Sequence, residues 1–203
     1  MINNNSLGKT NHTAIIVLGL GENRESKTVE YLWKRQGVKV IFFQPNWKSE
    51  EKLQDKLKRL SDLIDKEAMG NKVSLVGVSA GGSLVINAFV ENKNKVDKVI
   101  TLCARLRKGE MTGFRGFEER TKGYPAFRDS VILAEKVEKL FDENDRKKIM
   151  TVHALLGDEL VPQNTTTIEG AKNITVPTGE HVISSAASLT IFSKPLVKFI
   201  LEK

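Results

Sequence analysis

Residues 73–83 read Val-Ser-Leu-Val-Gly-Val-Ser-Ala-Gly-Gly-Ser. A short apolar run at 73–76 leads into Gly77-Val78-Ser79-Ala80-Gly81, and an apolar, helix-compatible segment follows at once. The pattern is G-x-S-x-G in strand–turn–helix context. A serine displayed on so sharp a turn needs small neighbours, because backbone segments approach closely there and unusual dihedral angles must be tolerated. The helix that starts beside it brings backbone N–H groups next to the hydroxyl, where a developing oxyanion can use them. Glycine-rich strand–helix turns also serve packing and phosphate binding, so the motif has to be weighed with the rest of the chain.

Working outward, short apolar runs alternate with longer amphipathic ones. Runs at 14–18, 38–43, 73–78, 96–102, 149–156 and 173–176 are rich in Val, Ile and Phe, as strands buried on both faces of a parallel sheet require. Between them, 50–69 sets Leu53, Leu57, Leu60, Ile64 and Ala68 on one helical stripe that stops at Gly70. Residues 25–36 carry Val29, Leu32 and Trp33, 83–90 are apolar almost all round, and 129–141 carry Val131, Ala134, Val137 and Phe141. Near the end, Pro195 is expected at a first helical position, followed by Leu196, Phe199 and Ile200. Six strands alternating with helices predict a three-layer α/β/α, doubly wound, mainly parallel sheet with right-handed crossovers. No repeat or linker interrupts it. Residues 1–12 read as a polar leader and 13–203 as one domain.

The 203 residues are 40% hydrophobic and 28% charged, an ordinary balance for a protein with a substantial core. No apolar run approaches the roughly 20 residues of a membrane helix, and residues 1–6 lack the charged and apolar regions of a signal peptide. The single cysteine, Cys103, excludes an internal disulfide framework and a cysteine-based zinc site, and fits a reducing compartment, the cytoplasm. The net charge of +7 invites a nucleic-acid reading, but acidic residues are interspersed among the lysines, as in Glu50-Glu51-Lys52 and Asp55-Lys56. A solvated basic surface with no nucleic-acid partner is the expectation. No histidine or carboxylate cluster has metal-ligand spacing, so no metal and no cofactor are expected.

The elbow, with the strands around it, resembles the nucleophile elbow of the serine-triad α/β-hydrolases, over roughly residues 13–203. The resemblance implies a small esterase- or lipase-like member that lacks the family's N-terminal antiparallel strands and large helical cap, with strand order 2-1-3-4-5-6 and a site at the carboxyl ends of the strands. A serine hydroxyl needs a base to take its proton, and the base needs a third group to orient it. In the family these follow in the order serine, acid, histidine. His12 precedes Ser79, and His153 lies inside an apolar strand run, where a hydrogen-bonded core histidine is expected. His181, in the turn-rich Pro177-Thr178-Gly179-Glu180-His181, matches the family's base. Leu155-Leu156-Gly157-Asp158-Glu159-Leu160-Val161-Pro162 resembles the acid loop and offers Asp158. The family usually places two residues between this glycine and the aspartate, so Glu159 stays open as the alternative acid. For the oxyanion the resemblance implies the backbone N–H groups of Ala80 and of Leu20. Leu18 stands where the family often has the histidine of His-Gly-x-Gly, which implies a less firmly held loop.

One stretch breaks the rhythm. Residues 105–128 hold four glycines, the aromatics Phe114, Phe117, Tyr124 and Phe127, and seven basic residues against three acidic ones, a net charge of +4. The segment is too irregular for a strand or long helix and is expected to be a lid-like insertion beside the pocket. Phe114 and Phe117 would offer apolar surface there, and Arg115 and Arg120 would favour anionic substrates. Cys103, at a strand end, reads as a small hydrophobe and not as the nucleophile.

Two rivals fail on their own residues. Gly19-Leu20-Gly21 would need a third glycine at Arg24 and an acid where the second strand ends in Gln44 to bind a dinucleotide. Gly8-Lys9-Thr10 precedes a strand and lacks the earlier P-loop glycine. The expected function is therefore hydrolysis of a carboxylic ester or thioester through an acyl-enzyme on Ser79. A non-catalytic binding module and an acyltransferase with the same triad are the alternatives.

Overall fold

The computed structural model describes residues 12–21 and 26–202. Six strands form one sheet: β1 (His12–Val17), β2 (Lys39–Phe43), β3 (Lys72–Val78), β4 (Val96–Leu102), β5 (Ile149–Ala154) and β6 (Lys172–Val176). Their spatial order is β2-β1-β3-β4-β5-β6, and every neighbouring pair is parallel. The sheet is thus the doubly wound α/β arrangement that the alternation of runs predicts. All six residues of β1 are buried, so the central strands carry apolar side chains on both faces.

Successive side chains project to opposite faces, and two cores result. Ile15, Val17, Val73, Leu75 and Val99 pack beneath α2 (Leu53–Glu67), α3 (Ala80–Glu91) and α5 (Pro125–Val137). Ala14, Ile16, Val76, Val78, Ile100 and Leu102 pack beneath α1 (Lys27–Arg35) and α8 (Ser193–Leu201). Three further helices complete the set among the described residues: α4 (Phe117–Thr121), α6 (Glu143–Lys147) and α7 (His181–Leu189). Strand order reverses between β1 and β3, so the carboxyl ends of those strands border a crevice, the usual ligand position in such sheets.

Several boundaries differ from the sequence expectation. The first strand starts at His12, inside the expected leader, whose residues 1–11 lie outside the described residues; the helix start expected at Glu25 lies outside them too. α1 is capped by Ser26, whose hydroxyl accepts from the Val29 N–H at 3.4 Å. β5 ends at Ala154, two residues early, because Leu155 and Leu156 turn out to solvent. Pro195 sits third in α8 rather than first, where its missing N–H is still harmless because the first turn has no intrahelical acceptors.

The segment 105–128 is more ordered than its composition predicts. A 3₁₀ turn at Gly113–Arg115 leads into α4, and α5 starts at Pro125 rather than at 129. Leu106, Phe117 and Phe127 are buried in the core beneath α3 and α5, and Tyr124 packs against it. Most of the segment's apolar residues are therefore core.

α3 begins at Ala80, three residues before the apolar pattern predicts, directly after Ser79. Two glycines make that start possible. A Cβ on Gly81 would stand 2.2 Å from the Val17 carbonyl oxygen, and one on Gly77 2.5 Å from the Cα of Gly82. The helix thereby tucks against β1 with no side chain between. Gly81→Ala should cost about 2–3 kcal/mol through overpacking against fixed backbone, read as a lower urea midpoint. An unchanged midpoint would mean that the helix start shifts freely, contrary to this account.

Candidate active site

Ser79 has φ 53° and ψ −119°, a backbone conformation rare for a residue with a side chain. The Ser79 N–H donates to the Leu102 carbonyl at 2.8 Å, which ties the turn to the end of β4. From this position Ser79 Oγ lies 2.8 Å from His181 Nε2. On the other side of the ring, His181 Nδ1 lies 2.7 Å from Asp158 Oδ2. An ionised carboxylate only accepts, so Nδ1–H donates to Asp158 and Nε2 accepts the serine proton. The three side chains come from the ends of β3, β5 and β6, all at the carboxyl edge of the sheet.

Asp158 is buried, and burial alone would raise its pKa. Hydrogen bonds from the His181 ring and from the Leu160 and Val161 N–H groups, both 2.8 Å from Oδ1, outweigh that and hold the carboxyl below its ordinary value. Glu159 does a different job: its Oε2 accepts the His181 backbone N–H at 2.9 Å. The neighbouring carboxylates thus divide the histidine between them, Asp158 on the ring and Glu159 on the backbone.

Beside Ser79 and His181 opens a cavity of about 510 Å³. Leu18, Leu20, Val29, Phe42, Val182 and Leu189 make it mainly apolar. A much smaller recess, about 30 Å³, borders Ser79 on its other side, between Leu20, Ala80, Arg105, Arg120, Phe127 and His181.

The fold is shared with solved structures. Est1E from Butyrivibrio proteoclasticus superposes with a TM-score of 0.67 at 19% identity, over 93% of this chain and 86% of that one. A monoacylglycerol lipase from Paleococcus ferrophilus gives 0.64 at 14%, over 93% of both chains. ClbQ from the colibactin NRPS/PKS pathway gives 0.58 at 15%, over 94% and 97%. The chain has the α/β-hydrolase fold. No family model and no curated sequence matches it.

Within this hydrolase fold, the loop after β1 is held more firmly than the absent histidine implied. The Leu18 carbonyl accepts the Trp47 indole N–H at 3.1 Å, and the Leu18 N–H donates to Phe43. Gly19 passes so close to the serine that a Cβ there would lie 3.0 Å from Ser79 Cβ. Trp47 is buried and stacks edge-on against Phe127 at 5.7 Å. Sequence reading gave Trp47 no part, although an isolated tryptophan just after the second strand marked the place.

Of Phe114, Phe117, Arg115 and Arg120, the residues expected at the pocket, Arg120 alone lines the cavities at Ser79. Arg120 lines both cavities, with its guanidinium 5.2 Å above the exposed ring of Phe114. Phe117 corrects its expectation: it is buried in the core and does not line the cavities at Ser79, because α4 turns it inward. Arg115 is corrected as well. Its guanidinium donates to the Asp158 backbone carbonyl at 2.5 Å, and its Nε is buried without a partner. It braces the acid loop and does not face the cavities.

The remaining titratable candidates stand apart. His12 bonds Ser74 Oγ at 2.8 Å at the amino end of β1, far along the sheet from the elbow. His153 is buried in β5, but its Nδ1 has no hydrogen-bond partner, contrary to the expected bonded core histidine. Burial drives its pKa down, so it is held neutral. Cys103 is fully buried at the end of β4, with its thiol pushed up to about 12, first by burial and then by the charge of Asp158. Such a thiol is inert as a nucleophile near neutrality.

The Asp158 environment predicts a pH signature. Its folded pKa lies below the ordinary 3.8, so its stabilisation is present above that value and is lost as pH falls through the folded one. Asp158→Asn should therefore be less stable than the wild type near neutrality, with the gap closing as pH falls from about 5 to about 2. A gap that stays constant in urea titrations over this range would contradict the assignment.

Proposed function

We propose that the chain is a serine hydrolase that cleaves a carboxylic ester or thioester through an acyl-enzyme on Ser79. The observation that carries this reading is the unbroken hydrogen-bond chain from Asp158 through His181 to Ser79, with the serine on a strained turn at a helix start. The fold neighbours include a monoacylglycerol lipase and a pyrethroid hydrolase, which agrees with ester chemistry.

In this reading Ser79 Oγ attacks the substrate carbonyl while its proton passes to His181 Nε2. Asp158 holds the ring in the required tautomer and stabilises the imidazolium as it forms. The tetrahedral oxyanion is received by the backbone N–H of Ala80, the first residue of α3, and by that of Leu20 in the Trp47-anchored loop. Collapse expels the alcohol or thiol, which takes the proton from His181. Water then attacks the acyl-serine with His181 again as base, releasing the acid and restoring the serine hydroxyl. An ester or thioester suits the site better than an amide, since its leaving group demands less protonation. The chemistry draws on side chains and backbone alone, and the apolar 510 Å³ cavity suits a hydrophobic portion of the substrate.

A fluorophosphonate probe should label wild-type protein at Ser79 and leave Ser79→Ala unlabelled. Ser79→Ala and His181→Ala should each lower kcat on p-nitrophenyl esters by about 10⁴-fold or more, with the double variant little worse. Asp158→Asn should cost about 10⁴-fold, and Glu159→Gln, which keeps an acceptor for the His181 N–H, far less. Near-normal turnover by His181→Ala would sink the proposal.

A further inference from the structure

The arginines of the segment 105–128 fall into two groups. Arg107 pairs with Glu138, and Arg128 with Glu118. Arg105, Arg115 and Arg120 form no ion pair among the described residues, although Glu110, Glu118 and Glu119 lie in the same segment. Two of these, Arg105 and Arg120, border the recess beside Ser79. Asp158 is the carboxylate beside them, and both its oxygens are already committed, to His181 and to the Leu160 and Val161 N–H groups.

Arg105 shows what this costs. It is 2% exposed, an extreme burial for a guanidinium. Burial foremost, and then the charges of Arg120 and Arg115, push its pKa down to about 10, so it stays charged near neutrality. Hydrogen bonds to the carbonyls of Lys108 at 2.9 Å and Arg115 at 2.5 Å take two of its five donors and fix its plane. Neither neutralises it. The Arg120 side chain makes no hydrogen bond among the described residues, and its guanidinium lies 5.2 Å above the Phe114 ring. Both border the 30 Å³ recess with Ser79, Ala80 and His181. A cation buried without an ion-pair partner is expensive to keep, and its place beside a reacting centre marks where a negative group is received.

We infer that the substrate carries a carboxylate a few bonds from its scissile carbonyl, and that Arg105 and Arg120, which border the recess beside Ser79, bind this carboxylate. The inference rests on the hydrolase reading above and adds a substrate class to it. The planar arginine fork matches carboxylate geometry. The larger apolar cavity takes the rest of the molecule, so the substrate is a half-ester with one acidic and one hydrophobic end. Arg105 is the fixed contact and Arg120 the adjustable one. Arg115, turned to the Asp158 carbonyl, contributes field only.

Matched esters test this: octyl hydrogen succinate, its neutral methyl ester methyl octyl succinate, and octyl 3-phosphonopropionate, each followed by octanol release. Wild type should turn over the half-ester with kcat/KM roughly tenfold or more above the neutral ester. That ratio should shrink as ionic strength rises from about 0.05 to about 0.5 M. Arg120→Gln, which removes no described hydrogen bond, should lower the ratio roughly tenfold, mainly through KM for the half-ester. A wild-type ratio near one, or an equal loss on both esters in Arg120→Gln, would overturn the inference. Preference for the phosphonate over the half-ester would overturn the carboxylate assignment. Fluorophosphonate labelling of Ser79 and turnover of methyl octyl succinate report separately on the hydrolase reading. If both occur while the ratio is one, the inference alone fails; if both are absent, the two fall together.

Discussion

The backbone at Ser79 is the constraint on which the rest of the site depends. A serine at φ 53° is held there only because its surroundings leave no alternative. Its own N–H is tied to β4, and the helix that follows is pressed against β1 through Gly81. Relaxing the turn would pull the helix start from the sheet and break that contact. The cost is local, of order 1–3 kcal/mol, and it is offset by α3, whose residues 80–89 are buried throughout. In return the hydroxyl stands clear of its own helix, with the Ala80 N–H beside it, and meets the His181 ring brought from the far side of the sheet.

Opposed electrostatic demands meet around that hydroxyl. Asp158 has to remain ionised although buried, and three hydrogen-bond donors secure this. The same end of the sheet carries Arg105, and the charges of Asp158 and Arg105 favour one another's ionised forms. Arg115 links the two by holding the acid loop through the Asp158 carbonyl, while its own carbonyl holds Arg105. The insertion is therefore part of the site's frame, and its removal would disturb the acid as well as the pocket wall.

The fold was legible because its signals are local and redundant. β-branched runs, helical stripes with glycine stops and G-x-S-x-G each arise from short-range sterics, and they agree on the alternation of strands and helices; the strand order came from the resemblance to the serine-triad α/β-hydrolases. The elbow glycines announce close approaches that any reader of the chain can anticipate. His181 and Asp158 were legible through chain order, since each follows its own strand. The division of labour between Asp158 and Glu159 was not, because it depends on which of two adjacent carboxylates the loop turns inward. Phe117 and Arg115 misled for a related reason. In a segment without periodicity nothing in the sequence fixes the direction of a side chain, so Phe117 went to the core and Arg115 to a backbone carbonyl.

The firmness of the loop after β1 has the longest chain of causes, and none of it is visible as a motif. Lys56, on α2, is fully buried, and burial lowers its pKa. An ammonium in such a place is destabilising by several kcal/mol unless its donors are used. Here they are: the carbonyls of Pro45 and Asn46 at 3.0 and 2.8 Å and Ser49 Oγ at 2.9 Å, with Glu51 at 3.4 Å. These bonds pin the turn after β2, in which Asn46 takes a positive φ of 53°. Trp47 follows at once, and its indole N–H reaches the Leu18 carbonyl. A charge buried on a helix thus fixes a turn, the turn aims a tryptophan, and the tryptophan holds the loop that passes Ser79. Where the family uses a histidine within the loop itself, this chain supports the same backbone from outside, with residues far away in sequence.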